Sequence, residues 1–253
     1  MGPLSADRVI EDAGTAEPVW QRWLNSAGIP TRPITHLLPL DARLVVVAPH
    51  PDDEVLACGG LVAEHSASGG RTLVIAISDG EASHAGSPHW NPHHLADERR
   101  AESAEGLRRL GVHDVEIVRL GLRDGHVARH IGDLAGKLKI MLHSSDVVVS
   151  TWRLDGHPYH EATGLSVAQA CLATGCRLLE APVWMWHWAS PGDARVPWHR
   201  LVGVALRGQS LDRKRSAIDA HTSQLRARDS ATGPVLGAAI LARAERPTEY
   251  FFT

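Results

Sequence analysis

Residues 44–54 read Leu-Val-Val-Val-Ala-Pro-His-Pro-Asp-Asp-Glu. The first five residues are apolar and mostly β-branched, which predicts a buried strand. Pro51 suits the first turn of a helix, where its missing N–H group costs nothing. One histidine and three carboxylates therefore follow the carboxyl end of a strand, where ligands and catalytic groups gather in open α/β sheets. This stretch predicts the fold class and the place of a functional site.

The same stretch offers the first ligands for a metal ion. His50 and Asp53 are three residues apart, so one helical turn brings them to the same face. An imidazole nitrogen and a carboxylate oxygen form a common partial shell for zinc. An acidic first helical turn would account for one or two of the carboxylates. It would not account for a histidine set between two prolines after an apolar strand, so we predict half of a metal site here.

The other half is predicted downstream, after a second buried strand at 146–150. His157 and His160 flank a proline there, where another helix begins. A catalytic zinc needs three protein ligands and an open position for water. His50, Asp53 and one of the two later histidines would supply that shell. The residues alone leave open which of the two binds, and the other is free for acid–base or electrostatic work.

Strand and helix patterns alternate through most of the chain. Strands are predicted near residues 43–48, 72–77, 115–120, 146–150, 178–186 and 201–207. Helices are predicted near residues 51–68, 95–110, 127–143, 160–174 and 211–222. Strands separated by helices imply crossover connections and a parallel sheet. We expect a single domain over residues 1–253, with an N-terminal arm over 1–40, an α/β core over 41–224 and a C-terminal tail over 225–253.

Composition narrows the class of protein. The chain has 253 residues, a formal net charge of -3 and a pI near 6.6. It therefore lacks the positive electrostatic field that would attract nucleic acid or an anionic membrane. No apolar run approaches roughly 18 residues, so no membrane span is expected. The first residues lack a signal-peptide pattern, and the cysteines, Cys58, Cys171 and Cys176, fit a reducing compartment. We therefore expect a cytoplasmic protein, and the apolar face of the N-terminal arm leaves a homo-oligomer open.

Two motifs resemble those of one enzyme family. Residues 49–54, Pro-His-Pro-Asp-Asp-Glu, and residues 157–160, His-Pro-Tyr-His, resemble the zinc-dependent N-acetylglucosaminyl deacetylase family, also called the LmbE-like or PIG-L family. Further similar segments lie at 78–81, 99–102, 110–112, 122–125, 214–217 and 221–224. The resemblance implies a Rossmann-like α/β fold with a mostly parallel sheet flanked by helices. It also implies a Zn²⁺ cofactor and removal of an acetyl group from an amino sugar.

The resemblance also implies a role for each polar residue of the two motifs. It makes His50, Asp53 and His160 the metal ligands. It makes Asp52 the general base, a role that its position between two ligands allows. It makes His157 the group that stabilises the oxyanion and protonates the leaving amine.

One position departs from the family pattern. Many relatives carry a carboxylate between the two later histidines, where this chain has Tyr159. A neighbouring carboxylate would raise the pKa of a catalytic histidine, so the tuning of His157 is left open. Asp155 or a hydrogen bond from the Tyr159 hydroxyl would replace that carboxylate, and a half-buried tyrosine without such a role is an equal alternative.

Several residues outside the two motifs are candidates for binding the substrate. Asp79 is expected to contact substrate hydroxyls, with turn formation around Gly80 as the alternative. Arg99 aligns with an arginine that contacts substrate in relatives, although ion pairs with neighbouring glutamates are equally open. The loop 82–94 is long enough to act as a lid.

A tryptophan-rich segment, residues 183–188, overlaps the end of the fifth predicted strand. Its alternation would put Trp184, Trp186 and Trp188 on one face of that strand. A core or a subunit interface is the simpler interpretation, and a sugar-stacking platform is the more specific one. Trp184 and Trp186 are therefore candidate substrate-binding residues.

The predicted function is a zinc-dependent hydrolase that removes an acetyl or other acyl group from the amine of an amino-sugar-containing small molecule. The expected partner is a soluble glycoside held between loop 82–94 and the tryptophan-rich segment. One alternative is a catalytically inactive metal- and sugar-binding member, although such a protein has no need of Asp52 between two ligands. Another is a metal phosphoesterase, but such sites usually hold two metals and the sequence assembles one shell.

Overall fold

The structure is a computed structural model that describes residues 8–10, 14–87, 90–113, 115–123, 131–228 and 233–253. Its strands are β1 (Leu44–Ala48), β2 (Thr72–Ala76), β3 (Glu116–Arg119), β4 (Val147–Thr151), β5 (Arg177–Ala181), β6 (Leu201–Ala205) and β7 (Thr248–Phe252). They form one seven-stranded sheet in the order β3-β2-β1-β4-β5-β7-β6. The five strands β1 to β5 are parallel to one another, and β7 runs antiparallel to its neighbours β5 and β6. The predicted α/β class with a mostly parallel sheet is confirmed.

Helices pack around this sheet. They are α1 (Glu17–Leu24), α2 (Ile34–Leu37), α3 (Asp53–Leu56), α4 (Gly59–Ala67), α5 (Pro92–Arg109), α6 (Ile131–Met141), α7 (Pro158–Thr174), α8 (Met185–Trp188), α9 (Gly208–Ile218), α10 (Thr222–Leu225) and α11 (Ala238–Ala244). The helix predicted over 127–143 is described from Ile131 onward, and its first residues lie outside the described part of the chain. None of the described helices has the length and apolar character needed to cross a membrane.

The strand β1 is buried on both faces of the sheet. Its side chains alternate, so that Leu44 and Val46 pack in one core cluster with residues of α4 and α9. Val45 and Val47 pack in a second cluster with residues of α6 and α7. Burial on both faces explains why the strand reads as a continuous apolar run. Because β2 lies on one side of β1 and β4 on the other, the strand order reverses between β1 and β4.

The helix predicted over 51–68 is divided into α3 and α4. The break lies at Cys58, whose backbone leaves the helical region. Gly60 and Leu61 donate their backbone N–H groups to the two carboxylate oxygens of Glu249, at 2.7 and 2.8 Å. A carboxylate is favourable at a helix N-terminus, where amides lack partners and the dipole is positive. The strand β7, which carries Glu249, thereby fixes the helix that follows the first motif.

The tryptophan-rich segment is not the strand that its alternation predicted. It forms the short helix α8 instead, after β5 has ended. The backbone N–H groups of Val183, Trp184 and Met185 all donate to the carboxylate of Asp155, each at 2.9 Å. Three consecutive amides cannot converge on one carboxylate in a strand, where successive groups point in opposite directions. The prediction of a single tryptophan face is therefore wrong.

The arm and the tail both pack against the sheet. Trp20 of α1 is fully buried and donates its indole N–H to the carbonyl of Trp186 at 2.7 Å. Further along the arm, Thr31 forms a β-bridge with Gly203 of β6. The tail supplies β7, so its last residues form a strand within the sheet.

Candidate active site

The two histidine motifs meet where the strand order reverses. The first motif follows β1 and the second follows β4, and these strands pair in parallel with Val47 beside Ser150. Since parallel strands end at the same edge, His50 and His157, in the turns after these strands, and His160, in the first turn of α7, lie together at the carboxyl edge of the sheet. Ligands of open α/β sheets bind at this position.

Asp53 links the two motifs. Its Oδ2 atom lies 3.0 Å from the backbone nitrogen of His50 and 3.3 Å from His50 Nδ1. Its Oδ1 atom lies 3.3 Å from His160 Nε2. The structure therefore brings together the three residues predicted as metal ligands, and their metal binding stays a prediction.

His157 belongs to the same cluster. The ligand nitrogens of His50, His157 and His160 all lie within 4.8 Å of one another. Distance alone does not separate His157 from His160 as a metal ligand. His160 Nδ1 lies 2.8 Å from Oδ2 of Asp155, which is fully buried. Metal-binding histidines commonly have a carboxylate on the other ring nitrogen, so the contact with Asp155 favours His160 as the metal ligand, which stays a prediction.

The charges of the cluster favour a cation. Burial works against a charged imidazole, yet Asp53 and Asp155 outweigh it and raise the pKa of His160 to about 10. Burial also opposes the ionised form of Asp53, but His160 and His50 hold the pKa of that carboxyl below its ordinary value. Carboxylates that favour a proton at His160 equally favour a divalent cation bound to the deprotonated ring. Imidazole and carboxylate donors with a buried carboxylate behind one histidine fit zinc.

Asp52 borders the same cluster and has different surroundings. Its Oδ2 atom lies 3.7 Å from Nη2 of Arg99. Burial raises the pKa of Asp52, the charge of Asp53 adds to this effect, and Arg99 opposes it. Arg99 is itself held by the carbonyl of Gly80 at 2.9 Å and by Oε1 of Gln224 at 2.8 Å. A carboxylate with a raised pKa is suited to accept a proton, as a general base must.

A cavity of about 300 Å³ opens beside these groups. Its charged and imidazole lining consists of His50, Asp52, Asp53, Arg99, His157 and His160. Its apolar lining includes Leu56, Val183, Trp184, Val235, Leu236 and Ile240. Ala82, Ser83 and Tyr159 complete it. The cavity therefore joins the candidate metal-binding cluster to a hydrocarbon surface.

Two of the predicted substrate-binding residues line this cavity. Arg99 reaches it from α5, and Trp184 lies at the start of α8. The Trp184 ring stacks nearly parallel to the ring of His157, with 6.0 Å between their centroids. Tyr159 contributes its ring edge-on to His50, with 5.3 Å between centroids. Two aromatic side chains therefore pack against the histidine cluster.

The other two predicted substrate-binding residues lie outside the lining. Asp79 is buried and forms ion pairs with Arg100 and, at 3.6 Å, with Arg119. Trp186 is 4% exposed and packs edge-on against Trp20, with 5.0 Å between centroids. Contact of either residue with a substrate stays a prediction.

Sequence reasoning missed most of the residues on the C-terminal side of the site. Gln224 joins Arg99 to the first motif, because its Nε2 donates to the carbonyl of Pro51 at 2.7 Å. Leu236 and Ile240 come from a segment with no readable periodicity. The family resemblance included the segment 221–224, and this was the one sequence signal for this side of the site.

The proposed lid is described in part. Ala82 and Ser83 line the cavity, and His84 is buried with Nε2 3.2 Å from the carbonyl of Ser223. Pro88 and His89 of the loop 82–94 lie outside the described residues, as do Asp124 and Gly125 of the segment 122–125. Movement of the loop stays a prediction.

Comparison with known sequences gives the family. The profile of the GlcNAc-PI de-N-acetylase family, PIG-L, matches residues 45–171, about half of the chain and both histidine motifs. The chain therefore belongs to this family of deacetylases. No curated protein matches the sequence at a significant level.

Solved structures share the fold. The A40926 pseudoaglycone deacetylase Dbv21 is 18% identical, with 83% of this chain and 96% of that chain covered and a TM-score of 0.64. The N,N'-diacetylchitobiose deacetylase from Pyrococcus horikoshii is 22% identical, with 85% and 81% covered and a TM-score of 0.55. The zinc-inhibited form of teicoplanin deacetylase Orf2 is 15% identical, with 75% and 88% covered and a TM-score of 0.54.

Proposed function

We propose that the protein is a Zn²⁺-dependent hydrolase that removes an acetyl or other acyl group from the amine of an amino sugar. The observation that carries the proposal is the cluster of His50, Asp53, His157 and His160 beside Asp52 on one cavity. Membership of a deacetylase family supports the same reaction. The names of two structural relatives, a pseudoaglycone deacetylase and a diacetylchitobiose deacetylase, support an N-acylated glycoside as substrate.

The proposed roles follow from the contacts of each side chain. His50, Asp53 and His160 would hold the metal ion, which when bound polarises the amide carbonyl and lowers the pKa of a water molecule. Asp52 accepts the proton of the attacking water. His157 lies beside the other two rings and donates a proton to the leaving amine.

The net reaction consumes one water molecule. The water oxygen bonds to the acyl carbon while the carbon–nitrogen bond breaks. The proton that Asp52 removes balances the one that His157 gives to the amine nitrogen, so the products are a carboxylic acid and a free amine. Arg99, 3.7 Å from Asp52, orients that carboxylate.

The two alternatives have less support. An inactive metal- and sugar-binding protein has no need of a buried carboxylate such as Asp52 beside the ligands. A metal phosphoesterase usually holds two metals, whereas the described residues offer one cluster of side chains spaced to hold an ion.

We further propose a small glycoside as substrate, held against Trp184 and Arg99 near the loop 82–94. Cys58, Cys171 and Cys176 are buried free thiols, which supports the predicted reducing, cytoplasmic compartment. A homo-oligomer stays a prediction.

The test combines metal analysis with amine release. Purified protein should contain zinc in a fixed molar ratio to the protein chain. When the protein is incubated with N-acylated glucosamine, chitobiose and glycopeptide substrates, fluorescamine should detect the free amine that is released. Removal of the metal by a chelator should abolish amine release, and added Zn²⁺ should restore it. Full zinc occupancy without hydrolysis of any substrate would favour the inactive alternative.

A further inference from the structure

The cavity has more apolar wall than an acetyl group needs. Leu56, Val183, Val235, Leu236 and Ile240, here called the acyl wall, all line it. An acetyl group ends in one methyl, comparable to a water molecule at about 30 Å³. The cavity holds about 300 Å³. The sugar shares this volume, but the acyl wall offers more hydrocarbon surface than the one methyl of an acetyl group covers.

The acyl wall begins beside a proposed metal ligand. Leu56 follows Asp53 by three residues on α3, so the two side chains lie on neighbouring faces of one turn. Leu56 is 9% exposed and belongs to the main core cluster. The reacting carbonyl of a substrate bound at Asp53 would therefore lie next to hydrocarbon.

The far part of the wall is fixed to the same motif. Leu236 is 3% exposed, and its backbone N–H donates to the carbonyl of Gln224 at 3.0 Å. Gln224 in turn donates to the carbonyl of Pro51. Ile240 packs against the core cluster that contains Leu236. This wall is a built surface, because hydrogen bonds and core packing hold it.

The chemistry of the substrate decides which of its two halves meets this wall. The amino sugar carries hydroxyls, which would lose hydrogen bonds to water against an apolar surface. Polar side chains that line the same cavity, Arg99 and Ser83, are the more suitable neighbours for them. A hydrocarbon chain, in contrast, binds about fourfold more tightly for each methylene that it buries. The acyl chain is therefore the half that suits the acyl wall.

We infer that the enzyme is a deacylase whose preferred substrates carry an aliphatic acyl chain longer than acetyl on the amine, and that the acyl wall binds this chain. The inference rests on the proposed function and specifies its acyl group. Water adds to the acyl carbon and the carbon–nitrogen bond breaks as before, so the products are an aliphatic carboxylic acid and the free amino sugar.

The first test is a chain-length series. Amine release is measured from N-acetyl-, N-butanoyl-, N-hexanoyl- and N-octanoylglucosamine with the metal-loaded enzyme. The value of kcat/KM should rise about fourfold per methylene and level off when the cavity is filled. A series in which the acetyl substrate is fastest overturns the inference and leaves the proposed function standing.

A binding measurement separates failure of the inference from failure of the proposed function. If no substrate of any chain length is hydrolysed, the proposed function fails. Calorimetry with acetate, butanoate, hexanoate and octanoate then decides whether the acyl wall binds hydrocarbon. Affinity that rises with chain length supports the wall, and equal affinities overturn it.

The wall could instead receive an apolar group on the sugar's anomeric oxygen. Octyl N-acetylglucosaminide carries its hydrocarbon there and its acetyl group on the amine. The inference expects its kcat/KM to lie within about threefold of methyl N-acetylglucosaminide. A gain equal to that of the octanoyl substrate would assign the wall to the aglycone and overturn the inference.

Variants of the wall provide the matched control. Ile240→Trp fills the cavity and should lower the hexanoyl-to-acetyl ratio of kcat/KM at least tenfold. Ile140→Trp is the same change at a residue of α6 that is 85% exposed and should leave the ratio unchanged. Val235→Phe, at a half-buried position, replaces Ile240→Trp if circular dichroism shows that the latter misfolds. Equal ratios in the wall variant and in Ile140→Trp overturn the inference.

Discussion

Asp52 and Asp53 are adjacent in the chain and have opposite surroundings. Asp53 contacts His50 and His160, which outweigh burial and hold its pKa below the ordinary value. Burial and the charge of Asp53 raise the pKa of Asp52, and Arg99 only partly opposes this. Two carboxylates of the same length therefore differ in their affinity for a proton, which supports the proposal that Asp53 holds the cation and Asp52 accepts the proton.

The first prediction compares Asp52→Asn with Asp53→Asn. Asp52→Asn should keep its zinc and lose at least roughly a hundredfold in kcat, because removal of a general base has that effect. Asp53→Asn makes the same chemical change one residue further on and should lose zinc, because the amide is a poor replacement for the ligand carboxylate. Metal content by mass spectrometry and amine release measure the two effects. Loss of zinc in Asp52→Asn with zinc retained in Asp53→Asn would reverse the two roles.

A second prediction concerns Asp155, whose carboxylate accepts from three backbone amides and contacts His160. Asp155→Asn should lower zinc affinity about 10–100-fold, because the orientation and basicity of His160 depend on this contact. It should also lower the free energy of unfolding by roughly 2–3 kcal/mol, because buried donors lose their acceptor. A chelating dye in competition with the protein measures the affinity, and urea unfolding measures the stability.

The control for this second prediction is Asp212→Asn, which removes the same charge from a side chain that is 76% exposed. It should change neither zinc affinity nor stability beyond about 0.5 kcal/mol. An unchanged zinc affinity in Asp155→Asn would show that Asp155 holds only the backbone of the tryptophan-rich segment.

At the scale of the elements, a side chain of β7 caps the N-terminus of α4. Glu249 of β7 accepts from the first amides of α4 and pairs with Lys214 of α9 at 2.7 Å. Lys214 is 1% exposed and also donates to the carbonyl of Leu56. One buried carboxylate thereby joins a strand and two helices behind the turn that carries His50 and Asp53.

The third prediction is that Glu249→Gln lowers the free energy of unfolding by about 3–5 kcal/mol, because it leaves the Lys214 ammonium buried without its anion. Combining it with Lys214→Met should recover part of the loss, since neither charge then remains. Glu245→Gln, at a side chain that is 42% exposed, should stay within about 0.5 kcal/mol of the parent. Urea unfolding followed by circular dichroism gives all four values. A double variant less stable than Glu249→Gln would contradict the buried-charge explanation.

Prediction from sequence succeeded where a local pattern sets the structure. The apolar run over 44–48 and the motifs that follow β1 and β4 were sufficient to predict the sheet and the edge that carries the candidate site. Prediction failed where distant side chains decide the backbone. Asp155 draws three amides of the tryptophan-rich segment together, and Glu249 caps a helix 188 residues away along the chain. Neither contact leaves a periodic signal in the segment that it shapes.

At the scale of the whole molecule, helix α1 of the N-terminal arm and the last strand meet behind the second motif. Trp20 of the arm, Trp152 after β4, Trp186 of α8 and Phe252 of β7 share one core cluster. Trp152 and Phe252 have ring centroids 4.4 Å apart. The segment that carries the later histidines, from the end of β4 to the start of α7, therefore packs against the arm, α8 and the last strand together.

The fourth prediction tests this arrangement with Trp20→Ala. Trp20 is fully buried and does not line the cavity, so the change should act on stability rather than on chemistry. We expect a loss of about 3–5 kcal/mol in the free energy of unfolding, the usual cost of truncating a buried aromatic side chain, with kcat within about threefold of the parent at 25 °C. Gln21→Ala alters the exposed neighbour on the same helix and should change stability by less than about 0.5 kcal/mol. Urea unfolding of both variants measures these changes. If Trp20→Ala lowers the free energy of unfolding by less than about 1 kcal/mol, the arm folds independently of the sheet. The segment that carries the later histidines would then need no support from the N-terminal arm.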